Sequence, residues 1–373
     1  MTHTRRAVLG AAALSSAGCL DEIGRAVSPS TTPECPSTVG RGVDARLGFA
    51  GDVMLGRGVD ERWRDGAPTG IWGTLLDRVR SLDGLFVNLE CCLSERGTPR
   101  SGRTYHFRAA PDWAVPALGT GGVAWASLAN NHVLDFGTGA FSDTLEHLSA
   151  GGIPHAGAGS DVGAAIEPSF VEIGGLDVAV VALTDRSPSY GAGPNSSGTA
   201  FVRTDLRDPR TRRLVGTALA RARGADPALL VASLHWGPNW ETRPSRRRRR
   251  FARWLVDRGV DVVHGHSAHV VQGVEIYRGR PILYDCGDLV DDYAVKPDLR
   301  NDRSFLFELL ISEGELSALR LVPVEIAGEA ANRADEAVAR WLRDRMRARS
   351  AAFGTTLRRE GDGLRVPLDR CGG

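Results

Sequence analysis

The chain has 373 residues, of which 42% are hydrophobic and 24% charged, and its 46 Lys plus Arg against 45 Asp plus Glu give a formal net charge of +1. These values exclude a disordered or fibrous chain and remove any global argument for nucleic-acid binding. The length allows one large α/β domain or two smaller ones.

In chain order, residues 1–19 carry Arg5-Arg6, an apolar stretch from Ala7 to Leu14, then small residues ending in Cys19. The stretch falls short of the roughly 20 apolar residues that span a bilayer, so it reads as an export signal. The small residues before Cys19 resemble a bacterial lipoprotein cleavage site, with Ser16 where leucine is usual. The expectation is an exported, extracytoplasmic protein, anchored to the membrane by this signal or by a lipidated Cys19. Residues from about 20 to 42 are rich in Ser, Thr, Pro and Gly and read as a linker. The six cysteines form no C-x-x-C pair, which argues against a zinc ribbon and leaves their pairing open.

From Ala45 on, strand-like runs alternate with amphipathic stretches. Strands are expected at Leu47–Met54, Leu85–Leu89, Val123–Leu128, Val178–Leu183, Ala228–Leu234, Val260–Val263 and Pro281–Tyr284. Helical patterns fall at Phe141–Leu148, Leu214–Ala222 and Phe251–Val256. This alternation predicts an α/β sheet with helices on its faces. Phe305–Ile311 and Leu316–Val324 flank a Ser-Glu-Gly-Glu turn and predict a closing hairpin, and Arg333–Arg349 predicts a basic amphipathic helix. The domain is expected over 43–326, with a C-terminal helical extension over 327–373 packing on it.

The chemistry collects after the strands. Successive runs end in Gly51-Asp52-Val53-Met54, in Asn88-Leu89-Glu90, in Ala129-Asn130-Asn131-His132 with Asp135 beyond, in His235-Trp236-Gly237, and in His264-Gly265-His266-Ser267-Ala268-His269. Ligands of open α/β sheets bind outside the carboxyl ends of strands, so five segments deliver Asp, Glu, Asn and His to one rim. Each residue alone has an ordinary structural explanation: Asp52 as a helix cap, Glu90 as a solvated strand end, the asparagines as turn formers, His235 as a core imidazole. Together, carboxylate, amide and imidazole suit a divalent cation, Mn, Fe, Zn or Mg, one or two in number. Such ions activate water for attack on phosphorus, and a nearby histidine can move the proton.

These motifs, continued by Val270-Val271-Gln272, resemble the CapA family of poly-γ-glutamate capsule synthesis proteins, over about Leu47 to Asp292. The resemblance implies a four-layer α/β/β/α sandwich similar to calcineurin-like metallophosphoesterases. It implies metal ligands at Asp52, Glu90, Asn131, His235, His266 and His269, with Glu90 in the bridging place. It further implies catalytic roles for His132 and Asp135 and substrate contacts for Asn88, Asn130 and Trp236. An anionic polymer such as poly-γ-glutamate and the capsule synthesis machinery are the implied partners. Met54 stands where metallophosphoesterases carry a histidine, and Ser267-Ala268-His269 replaces a His-Pro-His. Either His266 supplies the missing nitrogen or one metal position is weak or empty.

Two other readings compete. A serine hydrolase would use Ser267 in Gly265-His266-Ser267-Ala268-His269, but that sequence lacks the last elbow glycine and no histidine follows His269. A non-catalytic anionic-polymer-binding accessory protein with a degenerate metal site would use basic clusters such as Arg246–Arg250. That run is also compatible with a solvated helix start, although a helix N-terminus favours anions over cations.

Overall fold

The structure, a computed structural model, describes residues 42–368. The expected signal, Cys19 and most of the linker lie outside the described residues. Two sheets organise the chain. In the larger one, Ala45–Val53, Gly84–Leu89, Val123–Ser127 and His155–Ala156 run parallel in that order, and Asp288–Val290 also pairs parallel with the first strand. On the other side of Ala45–Val53 the antiparallel hairpin Arg303–Ser312 and Glu315–Ile326 extends the sheet. In the smaller sheet, Leu176–Thr184, Leu229–His235, Val262–His266 and Arg280–Leu283 are parallel neighbours, with antiparallel edges Ser169–Ile173 and Val274–Tyr277.

Three hydrophobic cores show how these layers stack. Phe49, Phe86, Trp125, Val180, Val231 and Phe307 share one core contributed by both sheets, so it lies between them. Phe49 and Phe86 stack there at 4.8 Å, and truncating either to alanine would cost about 3–5 kcal/mol. The alternate residues of the same strands face outward. Val53, Leu85 and Val87 meet Trp72, Leu118 and Phe141 of the helices Pro111–Thr120 and Gly137–Ala150 and their neighbours. Val181, Ala232 and Leu234 meet Leu219, Phe251 and Leu255 of the helices Pro209–Gly224 and Arg246–Val256. The result is the α/β/β/α order of layers. Burial on both faces is why the central strands read as continuous apolar runs.

Beyond residue 327, Ala331–Arg333 and Gly363–Pro367 pair with Glu315–Ile326 and widen the larger sheet. The helix Glu336–Ala351, capped by Asp335 Oδ1 accepting from Val338 N at 2.8 Å, sends Val338, Leu342 and Met346 into the inter-sheet core. Among the described residues no helix is long and apolar enough to cross a membrane. Cys91, Cys92 and Cys286 are buried free thiols.

Candidate metal centre

Strand register sets the site. Asp52 is paired with Asn88 across the first two strands, and His235 with His266 across the smaller sheet. Gly51 lets the first strand close on the chain after Arg280–Leu283: Asp52 N donates to Gly287 O at 3.0 Å, and a Cβ on Gly51 would lie 1.7 Å from that oxygen. Past the strand Val262–His266, Ser267 (φ 108°) and His269 (φ 57°) both adopt left-handed backbone, which turns the His269 ring back to the rim.

Two groups of donors meet at Asp52. One comprises Asp52, His235 and His266; the other Asp52, Glu90 and His269. In the first, Asp52 Oδ1 is 3.8 Å from His235 Nδ1 and 3.6 Å from His266 Nδ1, and the two Nδ1 atoms are 2.9 Å apart. The opposite nitrogens are occupied: His235 Nε2 lies 2.7 Å from Asn131 Oδ1 and His266 Nε2 lies 3.0 Å from Ser233 Oγ. With the hydrogen on each Nε2, both Nδ1 lone pairs turn to each other and to a carboxylate, with Asn88 Nδ2 3.3 Å from His235 Nδ1, as ligating imidazoles are held. In the second group, His269 Nδ1 is 3.2 Å from Asp52 Oδ2, 4.0 Å from Glu90 Oε2 and 2.9 Å from Asp288 Oδ1. Asp52 is therefore the carboxylate common to both groups. Glu90, the bridging residue of the sequence reading, also reaches across, with Oε1 3.5 Å from His235 Nε2.

The electrostatics fit a cation. Burial pushes His235 down to about 3 and His266 well below the usual imidazole range. Both are neutral, with lone pairs available. Burial acts the same way on His269, but the Asp288, Glu90 and Asp52 carboxylates outweigh it and hold that ring well above its ordinary value. Glu90 is pushed up by burial and by Asp52. Asp52 is held down, because His269, His235 and His266 outweigh its burial. Asp52 Oδ2, Asp288 Oδ2 and Asp291 Oδ2 are all buried, Asp52 Oδ2 against His269 and the other two carboxylates against each other. Several buried carboxylates this close together are costly unless a positive charge sits among them. The donor set of carboxylate oxygens and imidazole nitrogens fits one or two divalent ions.

His132 stands beside this centre. Its Nδ1 is 2.6 Å from Asp135 Oδ2, its ring stacks on Phe107 at 3.9 Å, and its Nε2 lies 4.0 Å from Glu90 Oε1. Asp135 is itself fixed by Phe107 N (2.9 Å), Tyr190 Oη (3.0 Å) and the Arg103 guanidinium (Nε, 3.0 Å). Burial lowers His132 to about 4 despite Asp135, so the ring is neutral at pH 7. With Nδ1–H donated to Asp135, Nε2 carries the free lone pair.

A cleft of about 540 Å³ opens over His132 and His269, walled by Phe107, Tyr293, Trp240 and Arg57 among others. These two histidines, 6% and 5% exposed, are where the buried centre meets the cleft.

The fold thus brings Asp52, Glu90, His132, Asp135, His235, His266 and His269 together. Asn88 and Asn130 also converge, but as braces. Asn88 Nδ2 donates to Asp52 Oδ1 at 2.8 Å, Asn130 Nδ2 donates to Asn88 Oδ1 at 3.2 Å, and both are fully buried away from the cleft. Asn131 reaches the centre through His235. Trp236 does not join: strand alternation turns it to the opposite face from His235, where it packs on Phe251 and Tyr284 and donates to Tyr284 O at 2.8 Å. The expected substrate contact at that position is corrected to a core role, and Trp240 is the tryptophan at the cleft. His264 ties the two sheets through Nε2 to Ala50 O at 2.6 Å. Met54 Sδ accepts from Gly56 N at 3.1 Å. Ser267 Oγ donates to Gly237 O at 3.2 Å, an arrangement with no base beside it. Sequence reasoning missed Asp288, Asp291, Tyr293, Arg103 and Lys296, whose Nζ lies 4.7 Å over Trp240. The dense acids of Asp285–Asp292 after a strand were the available signal for the first two.

Residues 46–293 match the model of the family described as bacterial capsule synthesis protein PGA_cap. A protein of Mycobacterium tuberculosis named a probable polyglutamine synthesis accessory protein is 32% identical over 82% of this chain and 91% of its own length. The PGA biosynthesis protein CapA of Bacillus subtilis is 25% identical over 74% of this chain and 70% of its own. Among solved structures, the purple acid phosphatase PPD1 of yellow lupin is similar over 80% of this chain and 54% of its own, at 10% identity and a TM-score of 0.36. The chain belongs to the bacterial capsule synthesis (PGA_cap) family and is a CapA-like protein built on an α/β/β/α sandwich.

Proposed function

We propose that this chain is an exported protein of poly-γ-glutamate assembly or anchoring that carries a metal-dependent hydrolase-type centre. The observation that carries this reading is the pair of buried donor groups sharing Asp52, set under a cleft with the His132–Asp135 pair at its edge. The polymer comes from the family resemblance: the Bacillus relative is named for PGA biosynthesis and the mycobacterial one for polyglutamine synthesis. In this reading residues 1–42 are export signal and linker, the N-terminus associates with the membrane, and the partners are the anionic polymer and the capsule synthesis machinery.

Asp52, Glu90, His235, His266 and His269 would hold one or two divalent ions, with Asp288 orienting His269 and Asn131 orienting His235. A bound ion there supplies an activated water and positive charge for an oxyanion. The chain's own groups do the proton work. Neutral His132 accepts a proton at Nε2, the resulting imidazolium is stabilised against Asp135, and the proton is returned to the leaving oxygen. Phe107 covers one face of His132, and Tyr293 packs against Phe107 and the His269 ring. The nitrogen donor that Met54 does not provide is available from His266, which favours this reading over a binding protein with a degenerate site.

The test is turnover of bis(p-nitrophenyl) phosphate by the Mn-loaded full chain, with and without chelator, in parent and His132→Ala protein. Chelator-sensitive turnover that His132→Ala lowers by about 10²-fold or more supports the proposal. No turnover above buffer at full metal loading would remove the hydrolase part of it.

A further inference from the structure

A second cleft, of about 320 Å³, adjoins the first. It is built where Asp185-Arg186 and Gly237-Pro238 leave their strands, where Arg203–Asp205 crosses, and where the helix Arg246–Val256 begins with Arg247 and Arg248. The segment 237–240 is shared: Gly237 and Pro238 line this cleft, Asn239 and Trp240 the one over the metal centre. Arg186 spans the divide, its Nη2 donating to Asn239 Oδ1 at 3.0 Å.

The charges in this cleft do not cancel. Asp185 is satisfied internally, accepting from Gly237 N at 2.8 Å and from Thr204 Oγ1 at 2.9 Å. Asp205 is neutralised by Arg207, which does not line the cleft. Arg248 is buried and paired with Glu241. Arg203 and Arg247 remain: among the described residues neither side chain has a hydrogen bond, an ion pair within 4 Å or a ring contact, and they act at longer range on Asp208 and Asp205, carboxylates that Thr211 and Arg207 already hold. The helix that carries Arg247 has no acidic residue in its first turn and begins with five consecutive arginines at the positive end of its dipole. Such a start is electrostatically unfavourable unless an anion neutralises it.

We propose that this arginine cleft is the second half of a binding track: an extended chain of repeating oxyanions reaches from the metal centre across Pro238-Asn239 and seats an anionic group between Arg203 and Arg247. Lys296 over Trp240, then Arg186, continue the same sign of charge between the two clefts. A ligand that occupies both clefts across the shared segment 237–240 is longer than a single small anion, as a polymer is. Its oxyanions are carboxylates or phosphates, since guanidinium groups take either in a bidentate manner. The inference deepens the proposed action on an anionic polymer and rests on it.

The experiment measures binding of a fluorescein-labelled γ-linked glutamate decamer, and separately of a labelled polyphosphate of equal charge, to the Mn-loaded full chain by anisotropy. The parent, Arg203→Ser/Arg247→Ser, Arg203→Lys/Arg247→Lys and the control Arg213→Ser/Arg340→Ser are compared. Arg213 and Arg340 are exposed cations outside both clefts. The expected result is about tenfold weaker binding in the cleft serine pair, partial recovery with lysine, and parental affinity in the control. The tighter of the two probes identifies the oxyanion. Equal weakening in cleft pair and control would reduce the effect to net charge and overturn the cleft, as would parental affinity in the cleft pair. A parent that binds neither probe also overturns it. Metal content and chelator-sensitive ester turnover, read on the same samples, show independently whether the proposed hydrolase centre stands.

Discussion

Replacing Asp135 with asparagine tests the proton-handling pair without removing volume. Asp135 Oδ2 faces two donors, His132 Nδ1 and Phe107 N, and Oδ1 faces Tyr190 Oη and the Arg103 guanidinium. An amide offers one acceptor and one donor end. If its NH2 faces His132, the imidazole must accept at Nδ1 and carry its proton on Nε2, the wrong tautomer for a base, and Phe107 N is orphaned. If its NH2 faces the other way, Arg103 meets a second donor in place of the carboxylate oxygen 3.0 Å from its Nε. Either orientation leaves one buried donor unsatisfied, a cost of about 1–3 kcal/mol in stability. Both remove the carboxylate that stabilises the imidazolium, and the first also removes the base, about 10²–10⁴-fold in turnover, or about 3–5 kcal/mol of barrier. The assay is chelator-sensitive ester turnover with the pH profile of kcat, beside a urea titration and the metal content. Tyr190→Phe removes one donor to the same carboxylate and should cost about 1 kcal/mol with turnover within a few fold. Asp135→Asn turnover within about threefold of the parent, at unchanged metal content, would refute the role given to His132.

Chelation of the full chain should lower its thermal midpoint, because an ion held at 100 times its dissociation constant contributes about 2.7 kcal/mol; Asp52→Asn should abolish that difference, and calorimetry reads both. His264, lowered to about 4 mainly by burial, binds fewer protons in the native than in the unfolded chain below about pH 6.5, so its contribution to stability falls with pH, whereas the raised Glu90 and Asp288 carboxylates act in the opposite sense. The change in urea midpoint from pH 7 to pH 5 should therefore be less destabilising in metal-free His264→Gln than in the metal-free parent. Gly51→Ala should prevent the first strand from closing on Gly287 and deplete bound metal, measured by elemental analysis. Trp236→Phe should cost about 1 kcal/mol through the lost bond to Tyr284 O and leave turnover unchanged, the opposite of a substrate contact.

What the sequence made legible follows burial. The parallel strands are apolar on both faces, and the expected runs lie within a few residues of the observed ones. The edge strands Ser169–Ile173 and Val274–Tyr277 are partly exposed, carry a weaker pattern and escaped notice. The arginine run proved to be helical from Arg246, with Ser245 as its cap accepting from Arg248 N. The site motifs were readable because each stands where a strand stops. The direction of Trp236 was not, since one residue's shift along a strand reverses the face. Asp288, Asp291 and Tyr293 come from irregular chain, where no period marks which side chains turn inward. The sharing of Asp52 between two donor groups depends on the distance between sheets, which no local pattern encodes.

The most direct test of the account is an anomalous difference map from crystals of the full chain grown with Mn. The account predicts a peak about 2.0–2.3 Å from an Asp52 carboxylate oxygen and from nitrogens of His235 and His266, or of His269. A fully loaded crystal whose only peaks lie away from Asp52 would contradict it.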